Sequence, residues 1–173
     1  MLSRWTIDLS SFFPLTPILF PTVSITMWIY IARHAWAHER NASIWPDDSL
    51  RELTPAGIQR YRQMVDVLRD RGMAPDRIAT SPYVRCRQTA EILADQLAGS
   101  IEILELDALI PGTDIESVMH WTVDQACGSV VWVGHAPDVS HLAAALVGRP
   151  GAQLRFAKGA IAAIRCAGPI QYE

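Results

Sequence analysis

The chain has 173 residues, of which 50% are hydrophobic and 19% are charged. This length and composition suit one folded domain with a substantial core, and they exclude disorder or a coiled coil as the overall description. The net charge of −3 argues against binding that depends on neutralising the phosphates of a nucleic acid or of a membrane surface. We therefore expect neither a nucleic-acid nor a membrane partner.

The cysteines predict a reduced protein. Cys86, Cys127 and Cys166 lie far apart and no Cys-x-x-Cys pair occurs, so the sequence encodes neither a disulfide framework nor a zinc knuckle. No arginine stands six positions after any of them, which excludes the chemistry of Cys-x5-Arg phosphatases. Cys86 is expected to be a buried helix residue. We expect free thiols and a cytoplasmic location.

The N-terminal stretch is predicted to be an irregular extension. The apolar run from Leu9 to Val23 is broken by three prolines and is preceded by Asp8. A membrane helix needs about 20 apolar residues with continuous backbone hydrogen bonding, and a signal peptide needs an uninterrupted apolar core. The predicted organisation is therefore an extension over residues 1–26 and one domain over residues 27–173.

From Met27 onward, short apolar runs typical of buried strands alternate with amphipathic stretches typical of helices. The predicted strands are Met27–Ala32, Arg77–Thr80, Ile101–Leu106, Ser129–Val133 and Ala160–Cys166. The predicted helices begin at Thr54-Pro55, at a Ser81-Pro82 cap, at Thr113 or Asp114, and at Pro137. This alternation predicts an α/β fold, a three-layer α/β/α sandwich with a central, mostly parallel sheet.

Two histidines directly follow predicted strands. Arg33-His34 comes after the first strand, and Gly134-His135 comes after the fourth. Ligands of open α/β sheets bind beyond the carboxyl ends of the strands, and parallel strands share one such edge, so we expect the two imidazoles to lie together. A lone histidine is more often structural than catalytic. Two at one edge, one of them beside an arginine, indicate a functional site.

A further arginine is predicted to join the histidines. Arg85 falls in the first turn of the helix after the second strand, where backbone N–H groups and the helix dipole also favour an anion. An arginine stays charged and bonds two oxygens of an oxyanion at once. Arg33, His34, Arg85 and His135 together predict a phosphate pocket.

The order of these motifs resembles the histidine phosphatase superfamily. The chain carries Arg33-His34-Ala35, then Ser81-Pro82-x-x-Arg85-x-x-Gln88-Thr89-Ala90, then Val133-Gly134-His135. Within the superfamily it is most similar to the small SixA-type phosphohistidine phosphatases, with which it also shares Arg51-x-Leu53-Thr54-x-x-Gly57. The resemblance covers residues 27 to about 166 and implies a phosphoglycerate mutase-like fold.

The resemblance also implies roles for the four pocket residues. His34 would be the nucleophile that becomes phosphorylated, and Arg33, Arg85 and His135 would hold the transferring oxygens. Phosphoryl transfer needs an in-line nucleophile and stabilised oxygens and little else from a protein, which suits these residue types. Neither a metal ion nor another cofactor is implied. We expect a metal-independent phosphatase that forms a phosphohistidine intermediate.

The general acid is poorly defined in the sequence. Mutases and acid phosphatases of the family use a carboxylic acid after the third strand to protonate the leaving oxygen. Glu105 and Asp107 are the candidates here, but neither lies in a recognisable acid motif, and Asp114 is expected to cap a helix. An imidazole leaves more readily than an alkoxide, so phosphohistidine on a signalling or phosphotransfer protein is the favoured substrate.

Two alternative functions stay open: a phosphatase of small phosphomonoesters, and a non-catalytic phosphate-binding module. The presence of all four pocket residues argues against the second. The partner is accordingly a phosphorylated protein or a small phosphate ester. The short predicted connections leave little chain for a lid, which predicts a shallow site suited to a phosphorylated side chain. We expect a monomer.

Overall fold

The computed structural model describes residues 26–97 and 99–167. The predicted N-terminal extension over residues 1–26 lies outside the described residues apart from Thr26, and so does the end of the predicted domain beyond residue 167. The strands within the described ranges are β1 (Thr26–Arg33), β2 (Arg77–Thr80), β3 (Glu102–Glu105), β4 (Ser129–Gly134) and β5 (Ile161–Ala167). The helices are α1 (Pro55–Asp70), α2 (Val84–Gln96), α3 (Ile115–Asp124) and α4 (Asp138–Leu146), with 3₁₀ turns at Asp48–Leu50 and Asp107–Leu109.

The strands form one sheet in the order β3-β2-β4-β1-β5. The pairs β3–β2, β2–β4 and β4–β1 are parallel, and β5 is antiparallel to β1. Residues of α1 and α2 pack on one face of the sheet and residues of α3 and α4 on the other. This arrangement confirms the predicted three-layer α/β/α sandwich with a mostly parallel sheet. None of the described helices is long and apolar enough to cross a bilayer.

The central strand β4 supplies side chains to both layers of the core. All six of its residues are buried, as expected for a parallel strand covered on both faces. Val131 and Val133 face the α1 and α2 layer, whereas Trp132 faces the α3 and α4 layer. The indole N–H of Trp132 donates to Thr122 Oγ1 at 3.0 Å, so its one polar group is satisfied inside the core.

Two of the predicted helix caps are confirmed. The Thr54 side chain accepts a hydrogen bond from the Gly57 N–H at 3.0 Å at the start of α1. The Asp114 carboxylate accepts from the Ser117 N–H at 3.2 Å at the start of α3. Both side chains satisfy backbone donors that the first turn of a helix leaves free.

The predicted Ser81-Pro82 cap is wrong. Helix α2 begins at Val84, and its N-cap residue, Tyr83, makes no capping hydrogen bond with its side chain. Ser81 lies too far back along the chain to cap this turn. Its hydroxyl instead contacts Nε2 of His135 at 2.9 Å. Ser81, which the sequence pattern predicts as a helix cap, therefore binds a histidine at the edge of the sheet instead.

The connection after β1 packs tightly on the first turn of α1 at Gly57. The Trp36 carbonyl accepts hydrogen bonds from the Thr54 N–H and hydroxyl, at 2.9 and 3.2 Å. A Cβ added at Gly57 would collide with the Trp36 carbonyl oxygen and lie 2.8 Å from Thr54 Oγ1. Glycine at position 57 thus lets the segment that follows β1 approach the helix closely.

We expect Gly57→Ala to destabilise the fold by about 2 kcal/mol, because overpacking a tight contact typically costs about 1–3 kcal/mol. Urea unfolding followed by circular dichroism measures the free energy of unfolding. Gly151→Ala is the control, since nothing lies within 4 Å of its added Cβ. Alanine is favoured over glycine in helices by about 1 kcal/mol, so an unchanged or raised stability of Gly57→Ala would contradict the close contact.

Candidate active site

The pairing of β1 with β4 brings the two predicted histidines together. The parallel register ends with Arg33 opposite Gly134, and the His34 N–H donates to the Gly134 carbonyl at 3.0 Å. The ring centroids of His34 and His135 are 5.5 Å apart, with an interplanar angle of 60°. Only 7% and 3% of their surfaces are exposed. Both imidazoles thus face each other at one edge of the sheet, as predicted.

His34 has one ring nitrogen held and the other unprotonated. Its Nδ1–H donates to the Ala35 carbonyl at 2.8 Å, because a carbonyl oxygen can only accept. Burial, opposed by this hydrogen bond and reinforced by the charges of Arg85 and Arg33, lowers the pKa of His34 to about 4. The ring is therefore neutral at neutral pH, and the lone pair of Nε2 is available as a nucleophile.

His135 is also neutral, with the opposite tautomer. Arg85 Nη2 lies 3.3 Å from Nδ1 of His135 and can only donate, so Nδ1 accepts. The Nε2–H then donates to Ser81 Oγ at 2.9 Å. Burial, followed by the charge of Arg85, lowers the pKa of His135 to about 3. Both ring nitrogens are engaged, so the orientation of this imidazole is fixed.

Each predicted arginine has one buried donor without a partner. Arg85 is 4% exposed and uses Nη1 and Nη2 in hydrogen bonds and an ion pair. Arg33 donates from Nη1 to the Phe156 carbonyl at 2.7 Å. The Nε–H group of each is buried and bonds to none of the residues described in the structure. A buried unpaired donor is costly, so each of these groups favours an added hydrogen-bond acceptor.

The Gln88-Thr89 pair of the motif holds the connection after β1 against α2. Thr89 Oγ1 accepts from the Ala35 N–H at 3.0 Å and donates to the Arg85 carbonyl at 2.6 Å. Gln88 Oε1 accepts from the Leu53 N–H at 2.7 Å. The sequence identifies these residues as part of a motif but does not indicate this bracing role, which fixes His34 and Arg85 relative to each other.

The structure does not bring the two candidate acids to the histidines. Glu105 forms an ion pair with Arg87 at 3.5 Å, and both side chains are about half exposed. Asp107 is exposed in the second 3₁₀ turn. Across residues 26–97 and 99–167, neither carboxylate is joined by a hydrogen bond or ion pair to His34, His135 or Arg85. Their assignment as general acids stays a prediction.

The sequence reasoning missed Asp48. This residue begins the first 3₁₀ turn, and its carboxylate pairs with Arg85 Nη2 at 3.1 Å. The connection between β1 and α1, residues 34–54, therefore reaches Arg85 at Asp48, and the expectation of a shallow site without a lid stays a prediction. The Asp48-x-x-Arg51 spacing indicates a local ion pair but not the contact with a helix 37 residues away.

Cys86 is a buried helix residue, as predicted. Its Sγ lies 3.5 Å from Nε2 of His135, and the side chain is fully buried. Burial, opposed by the charge of Arg85, raises the pKa of the Cys86 thiol to about 12. The thiol is protonated and packs against the imidazole of His135. All three cysteines are free.

The chain is similar to known phosphatases along most of its length. The sequence profile of the histidine phosphatase superfamily (branch 1) matches residues 29–110. Phosphohistidine phosphatase SixA of Escherichia coli (strain K12) is 32% identical over 125 residues, which are 69% of this chain and 74% of that protein. A solved structure of the protein histidine phosphatase SixA complexed with tungstate is 31% identical, with a TM-score of 0.66 over 79% of this chain and 86% of that one.

More distantly related proteins share the same fold. Phosphoglycerate mutase from Plasmodium falciparum superposes with a TM-score of 0.54 at 16% identity, over 73% of this chain and 72% of that one. The fold is therefore phosphoglycerate mutase-like, and the protein is a phosphatase. The chain belongs to the histidine phosphatase superfamily, which confirms the family predicted from its motifs.

The neutral state of both histidines predicts a loss of stability in mild acid. In the unfolded chain the histidine pKa is about 6.5, against about 4 and about 3 for His34 and His135 in the folded protein. Between pH 6.5 and 4 the unfolded chain binds more protons, so the free energy of unfolding falls as the pH is lowered through that window.

Urea unfolding at pH 7.5 and pH 5 measures this dependence. We expect His34→Gln to lose less stability than the wild type between the two pH values, because one of the two titrating groups is gone. His141→Gln, at an exposed histidine of α4, is the control and should keep the wild-type dependence. An equal pH dependence in all three proteins would show that His34 is not held neutral by the fold.

Proposed function

We propose that this phosphatase hydrolyses phosphohistidine on a signalling or phosphotransfer protein through a phosphorylated His34. The observation that carries the proposal is the protonation state of the site. Two neutral imidazoles lie beside two arginines, and Asp48, the carboxylate in contact with Arg85, is ionised. The hydrogen bond from Arg51, followed by the charges of Arg85 and Arg51, holds the pKa of Asp48 below its usual range.

An ionised carboxylate cannot protonate a leaving alkoxide. Within the described ranges, neither Glu105 nor Asp107 has a contact with the site residues that would make it the proton donor instead. General acid catalysis is typically worth about 10²–10⁴-fold, so a site without a general acid would disfavour phosphate esters of alcohols. The imidazole of a phosphohistidine needs less help, because it is a better leaving group. The chemistry of the site therefore favours a P–N bond in the substrate.

The reaction has two steps. The Nε2 lone pair of His34 attacks phosphorus, a new P–N bond forms, and the P–N bond of the substrate breaks, so the departing imidazole takes up a proton from solvent. Water then attacks phosphorus on His34 and releases one proton to solvent, the P–N bond breaks, its electron pair returns to Nε2, and inorganic phosphate leaves. The hydrogen bond from Nδ1 to the Ala35 carbonyl keeps Nε2 directed at the phosphorus in both steps.

We assign the oxygens of the transferring phosphoryl group to Arg33, Arg85 and His135. The unpaired Nε–H groups of the two arginines are buried donors without an acceptor among the described residues of the free protein, and an oxyanion would supply one. The Nε2–H of His135 donates to Ser81 Oγ in the free protein, and it becomes the third donor by exchanging that acceptor for a phosphoryl oxygen. Such fixed donors in a desolvated site stabilise developing charge strongly.

The relatives support this substrate class. One is named a phosphohistidine phosphatase, and another, a protein histidine phosphatase, is complexed with tungstate, a tetrahedral oxyanion like phosphate. The proposed partner is accordingly a protein phosphorylated on histidine. The proposed location is the cytoplasm, where the three free thiols would stay reduced.

We expect His34→Ala to abolish turnover while leaving the fold intact, because the nucleophile is lost and no core side chain changes. The measurement compares hydrolysis of a phosphohistidine protein, a phosphoserine peptide and p-nitrophenyl phosphate. His141→Ala, an exposed histidine, is the matched control and should keep the wild-type rate. Mass spectrometry of the wild type under acid-free quenching should find phosphate on His34.

Two outcomes would overturn the proposal. Full activity of His34→Ala would exclude His34 as the nucleophile. Faster hydrolysis of the ester substrates than of phosphohistidine would favour the small-phosphomonoester alternative.

We expect neither Glu105→Gln nor Asp107→Asn to slow hydrolysis of phosphohistidine by more than a few-fold, because the leaving imidazole needs little protonation help. Single-turnover rates on phosphohistidine and on p-nitrophenyl phosphate separate the chemical step from binding. A hundredfold loss on phosphohistidine from either change would identify a general acid.

A further inference from the structure

The first 3₁₀ turn, Asp48–Leu50, reaches the active site at one residue. Asp48 contacts the guanidinium of Arg85 twice: its backbone carbonyl accepts from Nη1 at 2.7 Å, and its carboxylate Oδ2 pairs with Nη2 at 3.1 Å. Arg85 is 4% exposed and the Asp48 side chain is 29% exposed, so the contacts lie where the buried guanidinium meets a partly exposed carboxylate. Ion pairs with a desolvated partner are screened less than those on a surface.

Asp48 is itself held in place. Arg51 Nε donates to Asp48 Oδ1 at 2.8 Å, and Arg51 Nη1 donates to the His38 carbonyl at 2.7 Å. The side chain of Arg51 is only 14% exposed. Arg40 approaches the same carboxylate oxygen at 3.9 Å from the solvent side. The carboxylate therefore has a braced partner on each of its two oxygens and does not swing freely.

These contacts fix the plane of the Arg85 guanidinium. Nη1 contacts Asp48, Nη2 contacts both Asp48 and Nδ1 of His135, and Nε is the guanidinium nitrogen that is buried without a partner among the described residues. A guanidinium is rigid and planar, so holding its two terminal nitrogens also sets the direction of Nε–H. A misplacement of about 1 Å in such a group can cost about a hundredfold in rate.

We propose that Asp48 is a positioning residue that acts on the reaction through Arg85. It keeps the guanidinium in the orientation that an oxyanion on His34 requires, and it does not transfer a proton. This inference rests on the proposed role of Arg85 in holding the transferring oxygens. It gives a function to a carboxylate that lies outside the motifs of the family.

A double-mutant cycle tests the proposal. The variants Asp48→Ala, Arg85→Ala and the double substitution are compared with the wild type by single-turnover hydrolysis of whichever of phosphohistidine protein and p-nitrophenyl phosphate the wild type hydrolyses faster. We expect Asp48→Ala to slow the chemical step about tenfold, within the range over which contacting residues couple. In the Arg85→Ala background the same change should have less than a twofold effect, because the group it positions is gone.

Asp47→Asn is the matched control. Asp47 caps the same 3₁₀ turn through the Ser49 N–H at 2.9 Å and makes no contact with Arg85. Asparagine caps as well as aspartate, so this variant should keep the wild-type rate. If Asp48→Ala does not fold, Asp48→Asn removes only the charge, and its loss of rate should likewise vanish in the Arg85→Ala background.

The outcomes separate the two proposals. If Asp48→Ala slows the wild type and the Arg85→Ala variant by the same factor, Asp48 does not act through Arg85 and the inference is wrong. If Arg85→Ala itself keeps the wild-type rate, the proposed oxygen-binding role of Arg85 fails, and the inference fails with it. If Asp48→Ala changes neither rate, the contact has no part in positioning.

Discussion

The parallel pairing of β1 with β4 is the constraint on which the rest of the site depends. Because the register ends with Arg33 opposite Gly134, the next residue of each strand is a histidine, and both leave the sheet at one point. A slip of one residue would turn His34 to the other face of the sheet. The strands are held in register by buried side chains on both faces, so the histidine pair is as rigid as the core.

Two histidines and two arginines lie at one buried edge of the sheet. Burial of so many polar side chains requires that each be neutral or paired with a hydrogen-bonding partner. The two imidazoles are neutral, which avoids the cost of burying a charge. The two arginines keep their charge but give hydrogen bonds to backbone carbonyls, Arg33 to Phe156 and Arg85 to Asp48. The Nε atom of each arginine is buried without an acceptor among the described residues.

Much of the fold follows from local patterns in the sequence. The buried strand β4 is a continuous apolar run, and Thr54 and Asp114 are caps followed by helical spacing. The cap at Ser81 is wrong because a hydroxyl that suits a helix start also suits an imidazole, and the tertiary contact with His135 decides between them. Local preference is weak where a long-range partner competes for the same group.

The alternation of strands and helices follows from local sequence patterns, and the rule that sites lie beyond strand ends predicts that Arg33, His34, Arg85 and His135 lie together. Each of these residues lies in or directly after a strand or helix, and hydrophobic periodicity predicts where those strands and helices are. The contact of Asp48 with Arg85 and the ion pair of Glu105 with Arg87 depend on how distant segments pack in three dimensions. Asp48 lies in an irregular connection whose path is set by side-chain contacts between segments distant in the chain, and no local pattern encodes such contacts.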